Sequence, residues 1–157
     1  MTLEGIARQR GRAIGEAEVE PVTFGALKVG QGISGAAYLA ALQSLHALGR
    51  RLAAFHERFD VLLTPVLAEP PPLIGRFAMN NPDFTDYRLG PAGLWRYSPF
   101  TPLANATGAP SISLPAGLSS DGLPIGAMLS ARLGEDALLL RLAAMWQSAG
   151  QAVALSP

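Results

Sequence analysis

From Leu42 to Phe59 an apolar residue recurs every three or four positions: Leu42, Leu45, Leu48, Leu52, Phe55 and Phe59. That spacing predicts a helix over residues 34–58 with a single apolar face to bury. At 1.5 Å per residue it runs roughly 35 Å, enough to cross a whole sheet. Ser34 is the expected N-cap, and Arg50, Arg51, His56 and Arg58 gather toward the C-terminal half, where the helix dipole favours positive charge. Directly afterwards, DVLLTP reads as a compact strand over 61–64. It is apolar on both faces, as a buried central strand is. Pro65 then removes its own nitrogen from any ladder. A long amphipathic helix feeding straight into such a strand constrains the chain to an architecture in which helices cover a sheet.

The remaining segments fit that frame. Residues 3–18 read as a short polar helix with Leu3, Ile6, Arg10 and Ala13 near helical spacing, weakened by Gly11 and Gly15 and ended by Pro21. Ser98-Pro99 or Thr101-Pro102 opens another short helix, which Gly108 terminates. Strands follow at 111–114 and 125–130, joined by GLSSDGLP with its Asp121-Gly122 turn signal, and antiparallel pairing is expected. Glu135 and Asp136 begin a last helix whose stripe is Leu138, Leu139, Leu142, Met145 and Trp146, and Gly150 ends it. Between the best-defined elements, residues 68–97 form a long irregular loop. It is rich in proline and glycine, yet it carries Phe77, Phe84, Tyr87, Trp95 and Tyr97, so it reads as packed and functional rather than as a linker. The expected fold class is α/β, a mixed sheet flanked by helices, in one domain spanning residues 1–157.

Composition sharpens the expectation. Charged residues make up 15% and hydrophobic ones 49% of the 157 residues, against roughly 25% charged in a typical soluble domain; the mean hydropathy is +0.25. So apolar a chain exposes more apolar surface than a small monomer tolerates, which predicts a homo-oligomer or a partner subunit. Twelve basic residues balance twelve acidic ones, so there is no basic field for a nucleic acid; Arg8, Arg10 and Arg12 read as a solvated helix face. With no cysteine, no apolar leader and no apolar run long enough for a membrane, a cytoplasmic setting is expected.

DVLLTP (60–65), FTPLANATGAPSISLP (100–115), GLPIG (122–126) and EDALLLRLAAMWQ (135–147) occur in this order and spacing. Together they resemble the closing third of the amidase-signature hydrolases, over roughly residues 19–150. The resemblance implies a partial amidase-signature fold and action on carboxylic amide C–N bonds. It also implies that the chain supplies part of a sheet and one wall of a substrate cleft, with Thr64, Pro65, Phe100 and Asn105 nearest the substrate. It implies no cofactor and no metal. The family works with a serine nucleophile, a second serine in a cis peptide and a lysine base, carried in a region absent from this chain, so no catalytic residue is assigned and the isolated chain is expected to be inactive. The small amide substrate would bind only together with that region. A non-catalytic assembly module derived from an amidase is the alternative.

Other constellations are weak. Lys28, the one lysine, lies in GALKVGQG and reads as a surface residue. Ser119-Ser120 belongs to a turn. His46 and His56 are roughly 15 Å apart along one helix, too far to share a metal. Asp83 and Asp86, with Glu69 nearby, read as solvated loop carboxylates.

Overall fold

A computed structural model describes residues 2–151. They group into two compact units, residues 2–38 with 73–96 and residues 39–72 with 97–151.

The second unit is built on strand β3 (Pro124–Ala131), which pairs antiparallel with β1 (Val61–Pro65) on one side and β2 (Ser111–Leu118) on the other. The β2–β3 turn is held by Ser119 N–H donating to Leu123 O (2.8 Å) and Gly122 N–H donating to Ser119 O (3.0 Å). Gly122 sits at φ 77°, a conformation that a residue without Cβ adopts at little cost. A tight reversal forces antiparallel pairing. Helices and sheet combine as expected, but the sheet is not mixed. β1 runs parallel to β2, yet β3 separates them, so every neighbouring pair among the described residues is antiparallel.

Position in the sheet corrects the reading of β1. It is an edge strand, and Leu63 is 58% exposed, whereas residues 127–131 of β3 are buried. The register places Val61, Leu63, Ile112, Leu114, Leu129 and Ala131 on one face. Helix α7 (Asp136–Trp146) covers that face through Leu139 and Ala143, with Leu138, Leu142 and Trp146 packed around them. Four of the five expected stripe positions are used; Met145 is exposed, because Leu139, Ala143 and Trp146, at intervals of four and three, define the buried face instead. On the opposite face, the Ser111 and Ser130 hydroxyls meet at 2.7 Å, so the buried Ser130 is satisfied.

A bulge between Pro115 and Gly117 fits the missing N–H of Pro115, and Trp146 Nε1–H donates to the Pro115 carbonyl at 2.8 Å. One indole thereby ties α7 to an irregular stretch of β2. Helix α3 (Gly35–Phe55) forms as the spacing predicts, and the Ser34 hydroxyl accepts the Ala37 N–H at 3.1 Å. None of its residues is fully buried, so the expected stripe is half-covered: Leu42, Leu48, Leu52 and Phe55 are intermediate and Leu45 is exposed.

In the first unit, the helix expected over 3–18 stops early. Helix α1 (Leu3–Arg10) ends at Gly11, which is left-handed at φ 67°, and a 3-10 turn follows at Glu16–Glu18. Arg10 and Arg12 are not a bare solvated face: they grip Glu18 at 2.7 and 2.8 Å, while Gly15 N–H donates to the same carboxylate at 2.8 Å. Pro21 opens helix α2 (Pro21–Gln31) rather than closing the preceding one, its fixed φ suiting the first turn. Val22 N–H donates to Met79 O at 3.2 Å, and a Cβ on Gly25 would run into the Pro82 carbonyl, so α2 lies close against residues 79–84. The segment 68–97 is therefore not irregular throughout. It folds helices α4 (Phe84–Leu89) and α5 (Leu94–Tyr97), the first capped by the Asp83 carboxylate accepting the Asp86 N–H at 2.9 Å. No helix among the described residues is long and apolar enough to cross a membrane.

Two outcomes follow from these contacts. Trp146→Phe keeps the ring but strands the Pro115 carbonyl, and is expected to destabilise the second unit by about 1 kcal/mol in chemical denaturation. The Glu18 carboxyl is held well below its ordinary value of 4.5, first by the Arg12 hydrogen bond, then by the Gly15 N–H and Arg10. A lowered folded-state pKa means that the clasp is fully present above pH 4.5 and is lost only as strong acid protonates Glu18. Arg12→Ala is expected to move the Glu18 titration back toward 4.5 in a carboxyl-detected NMR series, and an unchanged midpoint would contradict this account.

Candidate functional site

β1 leaves the sheet at Pro65, but Val66 N–H still donates to Gly126 O at 3.0 Å. The chain therefore continues beside the start of β3 and makes a cleft of about 200 Å³ between residues 67–71 and Pro124–Gly126. The close approach depends on Gly126, where an added Cβ would lie 2.8 Å from Val66 Cγ2. Prolines 70, 71 and 124 carry no N–H, and Glu69 is the one ionisable residue in the lining. Ala68 N–H donates to Tyr97 O at 2.9 Å, which brings the exit of β1 next to the approach to helix α6 (Thr101–Thr107).

Of the residues singled out from sequence, Thr64 and Pro65 end β1, paired with Met128 and Ala127. The Thr64 hydroxyl is buried without a hydrogen-bond partner. Phe100 is half-buried at the N-cap of α6. Asn105 is exposed on that helix and donates from Nδ2 to Thr101 O at 3.3 Å, a bond within the helix rather than to an orphaned end group. Gly108, at φ 75°, ends α6 and turns the chain toward β2. The Ala68–Tyr97 bond links the chain after β1 to the chain before α6, but none of the four residues lines the cleft.

No described constellation supplies an activated nucleophile. Lys28 is exposed, with its ammonium over the Phe24 ring at 4.7 Å. The Ser119 hydroxyl accepts the Leu123 N–H at 3.1 Å and closes the hairpin turn, as the turn reading requires. Asp83 caps α4, and Asp86 accepts the Asn81 amide at 3.0 Å. His56 is buried, its Nδ1 3.0 Å from Phe59 O, and His46 is exposed. No group of three or more His, Asp or Glu among the described residues could hold a metal. What remains is a donor-poor apolar wall, shaped to cradle an apolar group.

The wall over residues 67–71 is not evident in the sequence, where all but Leu67 falls in the irregular segment 68–97. The local signal was the run of prolines, which holds the backbone extended. Helix α4 also had its signal: Asp83 and Asp86 stand as N-cap and third residue, the spacing of a helix start.

Residues 4–140 match the family model Amidase. The chain belongs to the amidase family. The 6-aminohexanoate-cyclic-dimer hydrolase of Pseudomonas sp. (strain NK87) is 32% identical over 150 residues, covering 94% of this chain and 30% of that protein. The protein AmiC of Mycobacterium tuberculosis (strain ATCC 25618 / H37Rv) is 47% identical over 103 residues, covering 66% of this chain and 21% of AmiC. A solved structure of 6-aminohexanoate cyclic dimer hydrolase superposes with a TM-score of 0.81 at 29% identity, over 94% of this chain and 31% of its own. This amidase chain thus spans between a fifth and a third of the length of its relatives.

Gly126→Ala is expected to cost about 1–3 kcal/mol, because Val66 is branched at Cβ and cannot swing clear. Adding Val66→Ala should make the pair less destabilised than the sum of the single variants. Strict additivity in a denaturant double-mutant cycle would show that the two do not touch.

Proposed function

We propose that this chain forms part of the sheet and one wall of the substrate cleft of a hydrolase acting on carboxylic amide C–N bonds, with Thr64, Pro65, Phe100 and Asn105 toward the bound amide. The serine and lysine chemistry enters from outside these residues, and the isolated chain does not turn over amides. The observation that carries the reading is the apolar cleft at the end of β1, in a chain that matches about 31% of a solved hydrolase. Amide hydrolysis by an alcohol nucleophile needs a neutral base beside it. The only lysine here is exposed and stacked on Phe24. A donor-poor wall suits the apolar part of an amide substrate, because binding there strands few polar groups.

The test compares two preparations against simple aryl and alkyl amides. The purified chain is expected to release no amine. A chimera in which it replaces the matching segment of the 6-aminohexanoate-cyclic-dimer hydrolase is expected to release amine. Hydrolysis by the chain alone, abolished by Lys28→Met, would overturn the proposal, and so would a folded but inert chimera.

A second reading, a non-catalytic assembly module, draws on the apolar residues left at the surface of the second unit: Leu63 at 58%, Leu140 at 65% and Met145 at 66% exposed. It predicts a homo-oligomer in sedimentation at on the order of tens of micromolar protein, and a sharp monomer boundary there counts against it.

A further inference from the structure

No residue of helix α1 is fully buried, although Leu3, Ile6 and Ala7 give it an apolar side. The helix stands off from α2, and a cavity of about 260 Å³ lies between the two. Phe24, Leu27, Lys28 and Gln31 stand at i, i+3, i+4 and i+7, so they share one side of α2, and that side lines the cavity. Leu3, Glu4 and Ala7 line it from α1, and Ala13 and the buried Ile14 close one end. The salt bridges from Arg10 and Arg12 to Glu18 span those two residues along the chain. The Glu18 clasp therefore holds the cavity's end wall.

The two long walls are the sides of helices, whose backbone N–H and C=O groups are taken up by helical hydrogen bonds. Polar contact along them comes only from side chains, and the polar ones in the lining are Glu4, Lys28 and Gln31. Among the described residues, neither Glu4 nor Lys28 belongs to a salt bridge. The Lys28 ammonium lies 4.7 Å from the centre of the Phe24 ring, and that ring is itself part of the wall. A cation–π contact of this kind holds the charge at the cavity instead of leaving it to range through solvent. Lys28 also sits in the last turn of α2. The partial negative charge of a helix C-terminus counts against a multiply charged anion there, and a single carboxylate is the fitting counter-ion.

We propose that the α1–α2 cavity binds a small amphipathic monocarboxylate, its anion on Lys28 and its apolar body between Leu3, Ala7, Phe24 and Leu27. An apolar cavity of roughly 150 Å³ accepts a benzene ring. At about 260 Å³ this one takes an arylalkyl acid or a fatty acid of roughly eight carbons. It shares no lining residue with the cleft at the end of β1, and the inference stands independently of amide hydrolysis.

Binding is measured by amide chemical-shift titration of the purified chain with octanoate, octanamide and octylamine. Octanoate should give saturable shifts at Leu3, Ala7, Phe24 and Lys28. Octanamide keeps the alkyl chain without the charge and should bind about threefold to fivefold more weakly, the range that an exposed ion pair supports. Lys28→Met should bring octanoate down to the affinity of octanamide. Ala7→Phe fills the cavity from α1 and should abolish binding of both, with unmoved resonances in the second unit showing that the variant is folded. The hydrolase chimera should bind octanoate as the chain does. Shifts that rise without saturating, octylamine binding as tightly as octanoate, or an Ala7→Phe chain that still binds each overturn the proposal. Unchanged octanoate affinity in Lys28→Met removes the carboxylate assignment and overturns it too. A folded chimera that leaves octanoate unbound gives the cavity to the rest of the polypeptide, and the proposal fails.

Discussion

Everything in the second unit depends on β3 being hydrogen-bonded along both edges. Buried from Ala127 to Ala131, it can leave the solvent only because β1 and β2 satisfy its backbone groups. Its Leu129 and Ala131 then meet Leu139 and Ala143 of α7, and that small cluster is the core. The cleft borders the N-terminal end of the same strand, where Gly126 lets Val66 approach. The open edge of β1 exists because β3 has taken the other one. Sheet order, core and cleft are thus consequences of one strand's position.

The site is a surface without reagents. Its prolines withhold donors, and the Ala68–Tyr97 bond ties the exit of β1 to the approach to α6. Charged groups elsewhere are spent on structure: Glu18 clasps two arginines, Asp83 caps a helix and Asp86 holds Asn81. In the proposed function, an apolar wall of this kind matters to hydrolysis without containing its nucleophile. Binding surface and reacting groups are separable contributions to the same barrier.

Much of the local structure was readable. Period and caps located α3, α7 and the Gly108-terminated α6, and the turn residues located the β2–β3 hairpin. Reading failed where one residue has two local meanings. Pro21 can stop a helix or start one, and only the chain that follows decides. Arg10 and Arg12 look solvated in one dimension because their partner Glu18 lies beyond a turn at Gly11. The helices within 68–97 were hidden by proline and glycine, although the Asp83–Asp86 spacing announced the first of them.

The sequence by itself determined the helices α3, α6 and α7 and the strands of the sheet, that no paired serine and lysine motif lies within these residues, and, through four short motifs in series, the family. These are properties of residue type and spacing, which a linear chain carries in full. Tertiary structure alone decided that β3 rather than β1 is central, that Met145 faces out, and that Val66 and Gly126 together shape a cleft. Each of these depends on which strand edge finds which partner, and an alternating or all-apolar pattern is equally compatible with several strand orders.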